Sequence, residues 1–200
     1  GKTAAFGLGL LNKLDVKKFR IQSLTLCPTR ELAYQIAKEI RTLGRKIHNI
    51  KVTTLCGGSA FGSQKGSLEH GAHIVVGTPG RIEEHLRKKT LSLEYLETFV
   101  LDEADRMLDM GFGDSIDEII RYLPKKRQNL LFSATYPLNI EELASKVMIY
   151  PHLVEADDQH NENTIRQLLC QIHDKSKRTV ALVGLLQKFN SESTLVFCNT

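Results

Sequence analysis

In the segment VLDEADRMLDMGF, residues 100–112, a short apolar run meets four carboxylates: Asp102, Glu103, Asp105 and Asp109. Carboxylates beside a core cost free energy unless something cationic sits among them. The first three residues, Gly1-Lys2-Thr3, offer the other half of such a site. They match the last three positions of the phosphate-loop pattern GxxxxGK[ST] and precede an apolar helical stretch, Ala4 to Leu11. Backbone N–H groups at a helix N-terminus suit anionic phosphate. Lys2 adds a point charge for the β- and γ-phosphates, and Thr3 a hydroxyl for Mg²⁺. An Asp behind a buried strand, Asp102, is what a Mg²⁺–nucleotide site requires as its second metal-side residue. Glu103 beside it can orient or deprotonate an attacking water. The cation these residues serve is therefore Mg²⁺ carried by a nucleoside triphosphate. A helix N-terminus enriched in acids by its dipole would explain one or two carboxylates, but not their place behind an apolar run. Asp109 follows the motif and reads as a solvated charge.

Further groups suited to chemistry stand behind other apolar runs: Pro28-Thr29-Arg30-Glu31, Gly57-Gly58, Thr78-Pro79-Gly80-Arg81 and Ser133-Ala134-Thr135. Thr29 and Thr78 read as N-caps, with Pro79 at the first helical position. Free N–H groups, a hydroxyl and a guanidinium together grip phosphate, and a Gly-Gly pair lets a ligand backbone approach closely. Three such grips suit an extended phosphate backbone rather than a single nucleotide.

These groups need a scaffold that brings them to one place. The apolar runs 23–27, 51–56, 73–77, 98–102 and 129–133 are short and nearly continuous, as strands buried on both faces of a parallel sheet are. Between them, Leu32, Ala33, Ile36, Ala37, Ile40 and Leu43 recur at helical spacing, as do Ile116, Ile119, Ile120 and Leu123. Asp114 reads as an N-cap, and Asn139 with Glu142 as another helix start. Alternating strands and helices predict an α/β fold, a doubly wound parallel sheet with helices on both faces. In such a sheet ligands bind at the carboxyl ends of the strands, so all five groups must share one rim. The polar stretch EADDQHNENT reads as a linker. Beyond it IRQLLCQI and STLVFC are strand-like and SKRTVALVGLLQKF is helical, the start of a second α/β unit. The expected organisation is one domain over 1–155, a linker over 156–163, and the beginning of a second domain over 164–200.

Composition narrows the classes. The 200 residues carry a formal charge of +4, compatible with a polyanionic partner without demanding one. Cys27, Cys56, Cys170 and Cys198 have no CxxC spacing and read as small hydrophobes of a reduced compartment. His70 and His73 form an HxxH pair with no further ligands nearby. No apolar run reaches the length of a membrane span, and no signal peptide is expected.

The motifs GKT, PTRELA, GG, TPGR, DEAD and SAT occur in the order and spacing of the DEAD-box RNA helicases, and over 1–155 the chain resembles that family. LCGGSAFGSQKGSLEHGAHIVVGTPGR is similar to the bacterial DbpA-type subgroup. The resemblance implies a RecA-like P-loop NTPase fold, followed by the start of a second RecA-like domain. It implies ATP hydrolysis coupled to RNA binding and local strand separation, with ATP and Mg²⁺ as cofactors. Carried over by motif, Gly1, Lys2 and Thr3 hold the phosphates, with Thr3 and Asp102 on the Mg²⁺ side. Glu103, Asp102 and Lys2 are the catalytic candidates. Pro28, Thr29, Arg30, Gly57, Gly58, Thr78, Gly80 and Arg81 would lie along RNA. Asp105, Ser133 and Thr135 would couple the two sites. The resemblance further implies a cytoplasmic, monomeric protein acting on structured RNA, with ribosomal RNA remodelling or large-subunit assembly as the expected setting. The family's upstream adenine-reading motif, the first half of the phosphate loop and most of the second domain, with its arginine finger, lie outside this sequence, so the 200 residues alone are not expected to turn over. An ATP-gated RNA clamp with little turnover is the rival reading; a DNA translocase is disfavoured by DEAD itself.

Overall fold

The computed structural model describes residues 1–155 and 168–198. They fall in two compact units, Gly1–His152 and Leu153–Thr200. In the first, five strands form one sheet in the order β2-β3-β1-β4-β5, every pair parallel. The strands are β1 (Ser23–Leu26), β2 (Val52–Leu55), β3 (Ile74–Gly77), β4 (Thr98–Leu101) and β5 (Gln128–Leu131). Around them run α1 (Lys2–Lys13), α2 (Arg30–Leu43), α3 (Phe61–Glu69), α4 (Pro79–Arg87), α5 (Ala104–Asp109), α6 (Gly113–Arg121) and α7 (Leu138–Val147).

Strand register makes the rim. Leu55 pairs with Gly77, Gly77 with Leu26, Leu26 with Leu101 and Leu101 with Leu131. The last residues of all five strands thus stand in one row, and the five connecting segments emerge at the same edge. Gly77 is obligatory there, because a Cβ would lie 2.3 Å from the Leu55 carbonyl oxygen. Alternating strand residues feed two cores. One face packs Cys27, Val76 and Val100 against Phe6 and Leu10 of α1 and Ile36 and Ile40 of α2. The other packs Leu26, Phe99 and Leu101 against Ile82 of α4, Met107 of α5, Ile116 of α6 and Ile140 of α7. The helix after β1 therefore leaves to one face and the helix after β3, its neighbour, to the other. That divergence opens a crevice between their ends.

Several helix boundaries differ from expectation. α6 begins at Gly113 with Phe112 at its N-cap, so Asp114 lies inside the first turn, where it still meets the positive end of the helix dipole. A left-handed Gly111, φ 80°, has already turned the chain. Likewise Pro137 occupies the cap of α7 and Asn139 lies within the helix. The helix α3 carries no apolar period; its buried residue is Gln64. In the second unit a 3₁₀ turn (Lys175–Lys177) leads into α8 (Arg178–Phe189), inside the expected helical stretch, with no side chain buried. Residues 168–172 and 194–198 are not strands: extended backbone becomes a ladder only beside a partner, and none of the described residues pairs with them. The linker expected at 156–163 lies outside the described residues.

Candidate functional site

At the end of β4 the Asp102 N–H donates to the Leu26 carbonyl at 2.9 Å, continuing the ladder by one residue. This pulls the side chain inward: Asp102 is 3% exposed. Among the described residues the one hydrogen bond to its carboxylate comes from the Glu103 N–H at 3.1 Å. Burial pushes its pKa above the usual carboxylate value, Lys2 opposes that rise and Glu103 adds to it. A buried carboxyl with one donor and a nearby lysine is short of positive charge, and a hard divalent cation with oxygen ligands would supply it. Lys2 and Thr3 lie in the first turn of α1, with Gly1 at its N-cap.

Glu103 itself is left-handed, φ 53°, ψ 52°. That conformation costs a residue with a Cβ about 1–2 kcal/mol, and such outliers gather at functional sites. The turn lets helix α5 start immediately behind the strand. The Glu103 carboxylate rests on Arg106, one turn on, at 3.3 Å; a half-exposed pair of this kind is weak and easily exchanged for another partner.

In the first turn of α5, Asp105 Oδ2 accepts from the Ala134 N–H at 3.2 Å, the Thr135 N–H at 3.0 Å and the Thr135 hydroxyl at 3.0 Å. Burial works against its ionisation, but the donors from Thr135 and the Arg106 N–H outweigh it and hold the carboxyl below the usual range. The motifs at 102–105 and 133–135 are thereby joined. Ser133 Oγ is buried and meets no hydrogen-bond geometry among the described residues, though its hydroxyl also helps to hold the Asp105 carboxyl down.

The crevice between the ends of β1 and β3 holds a cleft of about 520 Å³. Its walls include Pro28, Thr29, Arg30, Gly57, Thr78, Gly80 and Arg81, seven of the eight backbone-gripping residues read from the motifs. Gly58 stands apart from these walls; it is left-handed, φ 75°, and a Cβ there would lie 2.0 Å from an Arg30 guanidinium nitrogen. Thr29 caps α2, its hydroxyl accepting from the Leu32 N–H at 3.2 Å. Thr78 occupies the cap of α4 with extended backbone but makes no side-chain cap bond. Arg81 is engaged on the protein: it pairs with Glu84 at 3.0 Å and donates to the Ser59 carbonyl at 2.9 Å. Glu31, Glu84, Met110 and Phe112 complete the cleft. For Glu84 a signal existed, its spacing of three from Arg81 on one helix; for Met110 and Phe112, brought in by the α5–α6 turn, there was none.

The remaining candidates resolve simply. His73 is a core histidine: Nδ1 accepts from the Lys51 N–H at 3.0 Å and Nε2 meets the Val16 carbonyl at 3.2 Å. Burial lowers its pKa. No cluster of three metal-ligating side chains occurs among the described residues. Cys27 and Cys56 are buried, as expected of small hydrophobes, whereas Cys170 and Cys198 are exposed. No helix among the described residues is long and apolar enough to cross a membrane.

Known proteins bear on this geometry. The family described as DEAD/DEAH box helicase matches residues 1–143. The chain is 51% identical over its whole length to the ATP-dependent RNA helicase DbpA of Escherichia coli, of which it covers 44%. Among solved structures it is similar to a DEAD box protein from Methanococcus jannaschii, with a TM-score of 0.75 and 39% identity over 94% of this chain and 50% of that one. It is also similar to Saccharomyces cerevisiae Dbp5 bound to RNA and ADP BeF3, with a TM-score of 0.67 and 34% identity over 78% of this chain and 39% of that one. The chain thus spans half or less of the length of these relatives. The likeness to DbpA agrees with the subgroup read from the segment at 55–81, and the parallel sheet is the RecA-like fold expected. A family match over most of the first unit, together with its motifs seated on one rim, assigns the chain to the DEAD/DEAH box helicase family.

Proposed function

We propose that this chain is the ATP-binding part of an ATP-dependent RNA helicase, in which RNA-stimulated ATP hydrolysis is coupled to local unwinding of RNA duplexes. The observation that carries the reading is the Asp105 carboxylate. From the helix directly behind Asp102-Glu103 it holds the N–H groups of Ala134 and Thr135 and the Thr135 hydroxyl. A change at the phosphate side would therefore reach the neighbouring loop through one carboxylate. In this reading Lys2 meets the β- and γ-phosphates, with the N–H groups at the start of α1 beside it. Thr3 and Asp102 would hold Mg²⁺, which neutralises phosphate charge when bound; the desolvated carboxyl of Asp102 fits that role. Glu103 turns from Arg106 to the attacking water and takes its proton. Arg30 and Arg81, with the caps at Thr29 and Thr78, Pro28, Gly57, Gly58 and Gly80, receive successive phosphates of the RNA. Such contacts position the strand and carry little sequence information. Asp105, Ser133 and Thr135 couple the two halves.

The same reading extends to a monomer of the cytoplasm, and to structured ribosomal RNA as the substrate in remodelling or large-subunit assembly. Support for that extension is the 51% identity to DbpA. The test is phosphate release and duplex separation by the full-length protein. Hydrolysis stimulated by RNA, with RNA duplexes opened in preference to DNA, is the expected result. Tight ATP-dependent RNA binding with negligible phosphate release would instead establish a clamp.

A further inference from the structure

Behind the phosphate cleft lies a buried polar chain that no motif signalled. It starts at Cys56, the residue before Gly57. The Cys56 carbonyl accepts from Gln64 Nε2 at 2.8 Å. Gln64 Oε1 lies 3.2 Å from His85 Nε2, and His85 Nδ1 lies 2.8 Å from the Thr90 hydroxyl. Gln64 is 7% exposed and His85 fully buried. Because the amide nitrogen is committed to Cys56, the amide oxygen must face His85, and the imidazole must carry its proton on Nε2. His85 follows Arg81 by one helical turn, so both residues share the face of α4 turned to this loop. Phe61 stacks on the His85 ring at 4.2 Å, and the Arg81 guanidinium lies 5.8 Å from the same Phe61 ring.

We propose that Gln64 and His85 are positioning residues that lock the Gly57-Gly58 loop to helix α4, fixing the separation of two grips on the RNA phosphate backbone. The inference rests on the RNA reading of the cleft. Two braces then join loop and helix. One, from Arg81 to the Ser59 carbonyl, is part-buried, with the Arg81 side chain 13% exposed, and must loosen if Arg81 is to meet a phosphate. The other, from Gln64 to His85, is buried and holds the spacing while Arg81 exchanges partners. Burial, and then the charge of Arg81, pushes the pKa of His85 down to about 4. The imidazole therefore stays neutral at ordinary pH, and the Thr90 hydroxyl proton is shared between His85 Nδ1 and the His85 carbonyl, 3.1 Å away.

The test separates positioning from packing. Either single replacement, Gln64→Leu or His85→Phe, leaves a buried partner unpaired, which destabilises; replacing both removes the unpaired Gln64–His85 contact and leaves the Cys56 carbonyl as in Gln64→Leu alone. In the full-length protein the double variant should unfold no earlier than Gln64→Leu and yet bind oligouridylate about tenfold or more weakly than the parent, the equivalent of one charge-assisted hydrogen bond. Parental RNA affinity in a folded double variant overturns the proposal. Should the double variant unfold early, the parental protein decides: the imidazole ¹⁵N resonances of His85 shift on adding oligouridylate if the pair senses the occupied cleft, and unmoved resonances overturn the idea. Arg81→Ala run alongside distinguishes the two layers. If it leaves RNA affinity unchanged, the RNA reading fails and the coupling with it. If it weakens binding and the double variant does not, only the coupling is wrong.

Discussion

Asp102 and Glu103 are neighbours, yet their surroundings suit them to different work in the proposed reaction. Glu103 holds an exchangeable partner at the surface, so Glu103→Gln keeps the shape and removes the base. Loss of a positioned general base costs about 10²–10⁴ in rate. ATP and RNA should still load, because the lost interaction belongs to the transition state; single-turnover hydrolysis and RNA affinity with ATP present are the paired measurements. Parental turnover, or lost ATP binding, would contradict this division. Asp102 is the opposite case. Its folded pKa is raised, chiefly by burial. Its favourable contribution is therefore complete below the unfolded carboxylate value, about 3.9, and is lost as pH rises through the folded value. At neutral pH, without nucleotide, Asp102→Asn should raise the unfolding temperature while weakening Mg²⁺-dependent ATP binding. An unfolding temperature at or below the parent's would show that the buried charge is already compensated by Lys2.

Among elements, the junction of α5 with the loop after β5 is held by a single carboxylate. Asp105→Asn keeps size but exchanges a charged acceptor for a neutral one facing three donors. ATP binding should persist and RNA stimulation of hydrolysis should fall, by roughly tenfold if one charge-assisted bond is forfeited. Equal RNA stimulation in parent and variant would remove Asp105 from the coupling. Acid should act on the same joint. The folded pKa of Asp105 is depressed, so its stabilisation is present above the unfolded value and is lost as pH falls through the folded one. Protection of the Ala134 and Thr135 amides from hydrogen exchange, relative to the intrinsic rate at each pH, should therefore fall below about pH 4 before the sheet opens.

Across the whole molecule, the modest charge of +4 leaves binding to local grips rather than to a general field. Arg30→Ala and Arg81→Ala should each weaken RNA binding about equally for unrelated sequences. Each should also flatten the salt dependence by up to ~0.7 in logarithmic slope, the value for one single-strand phosphate. A loss confined to one sequence would contradict a backbone grip. The chain covers 44% of its Escherichia coli relative, and the family resemblance places an arginine finger in the second domain. On that reading phosphoryl-transfer charge is incompletely stabilised by residues 1–200. Phosphate release by the 200-residue chain should stay negligible with RNA present, and robust turnover would overturn the two-domain mechanism.

Local rules reached a long way here. Five apolar runs of strand length, separated by helical periods, determined a parallel α/β sheet, because only strands covered on both faces read as continuous hydrophobes. Parallel pairing then sent five motifs to one rim, and capping chemistry placed Thr29 at the start of α2. Tertiary structure decided what has no local signature. Helix α3 has no apolar stripe, because it packs against the edge strand β2 and buries a glutamine rather than a leucine. The left-handed turn at Glu103 is imposed by a strand that must become a helix at once, against the residue's own preference. Arg81 looks like a free cation in sequence and is held by Glu84 and the Ser59 carbonyl in space, since a guanidinium satisfies whichever acceptors the fold brings near. The second unit was least legible, for strand-like composition becomes a strand only when another strand is there to pair with it.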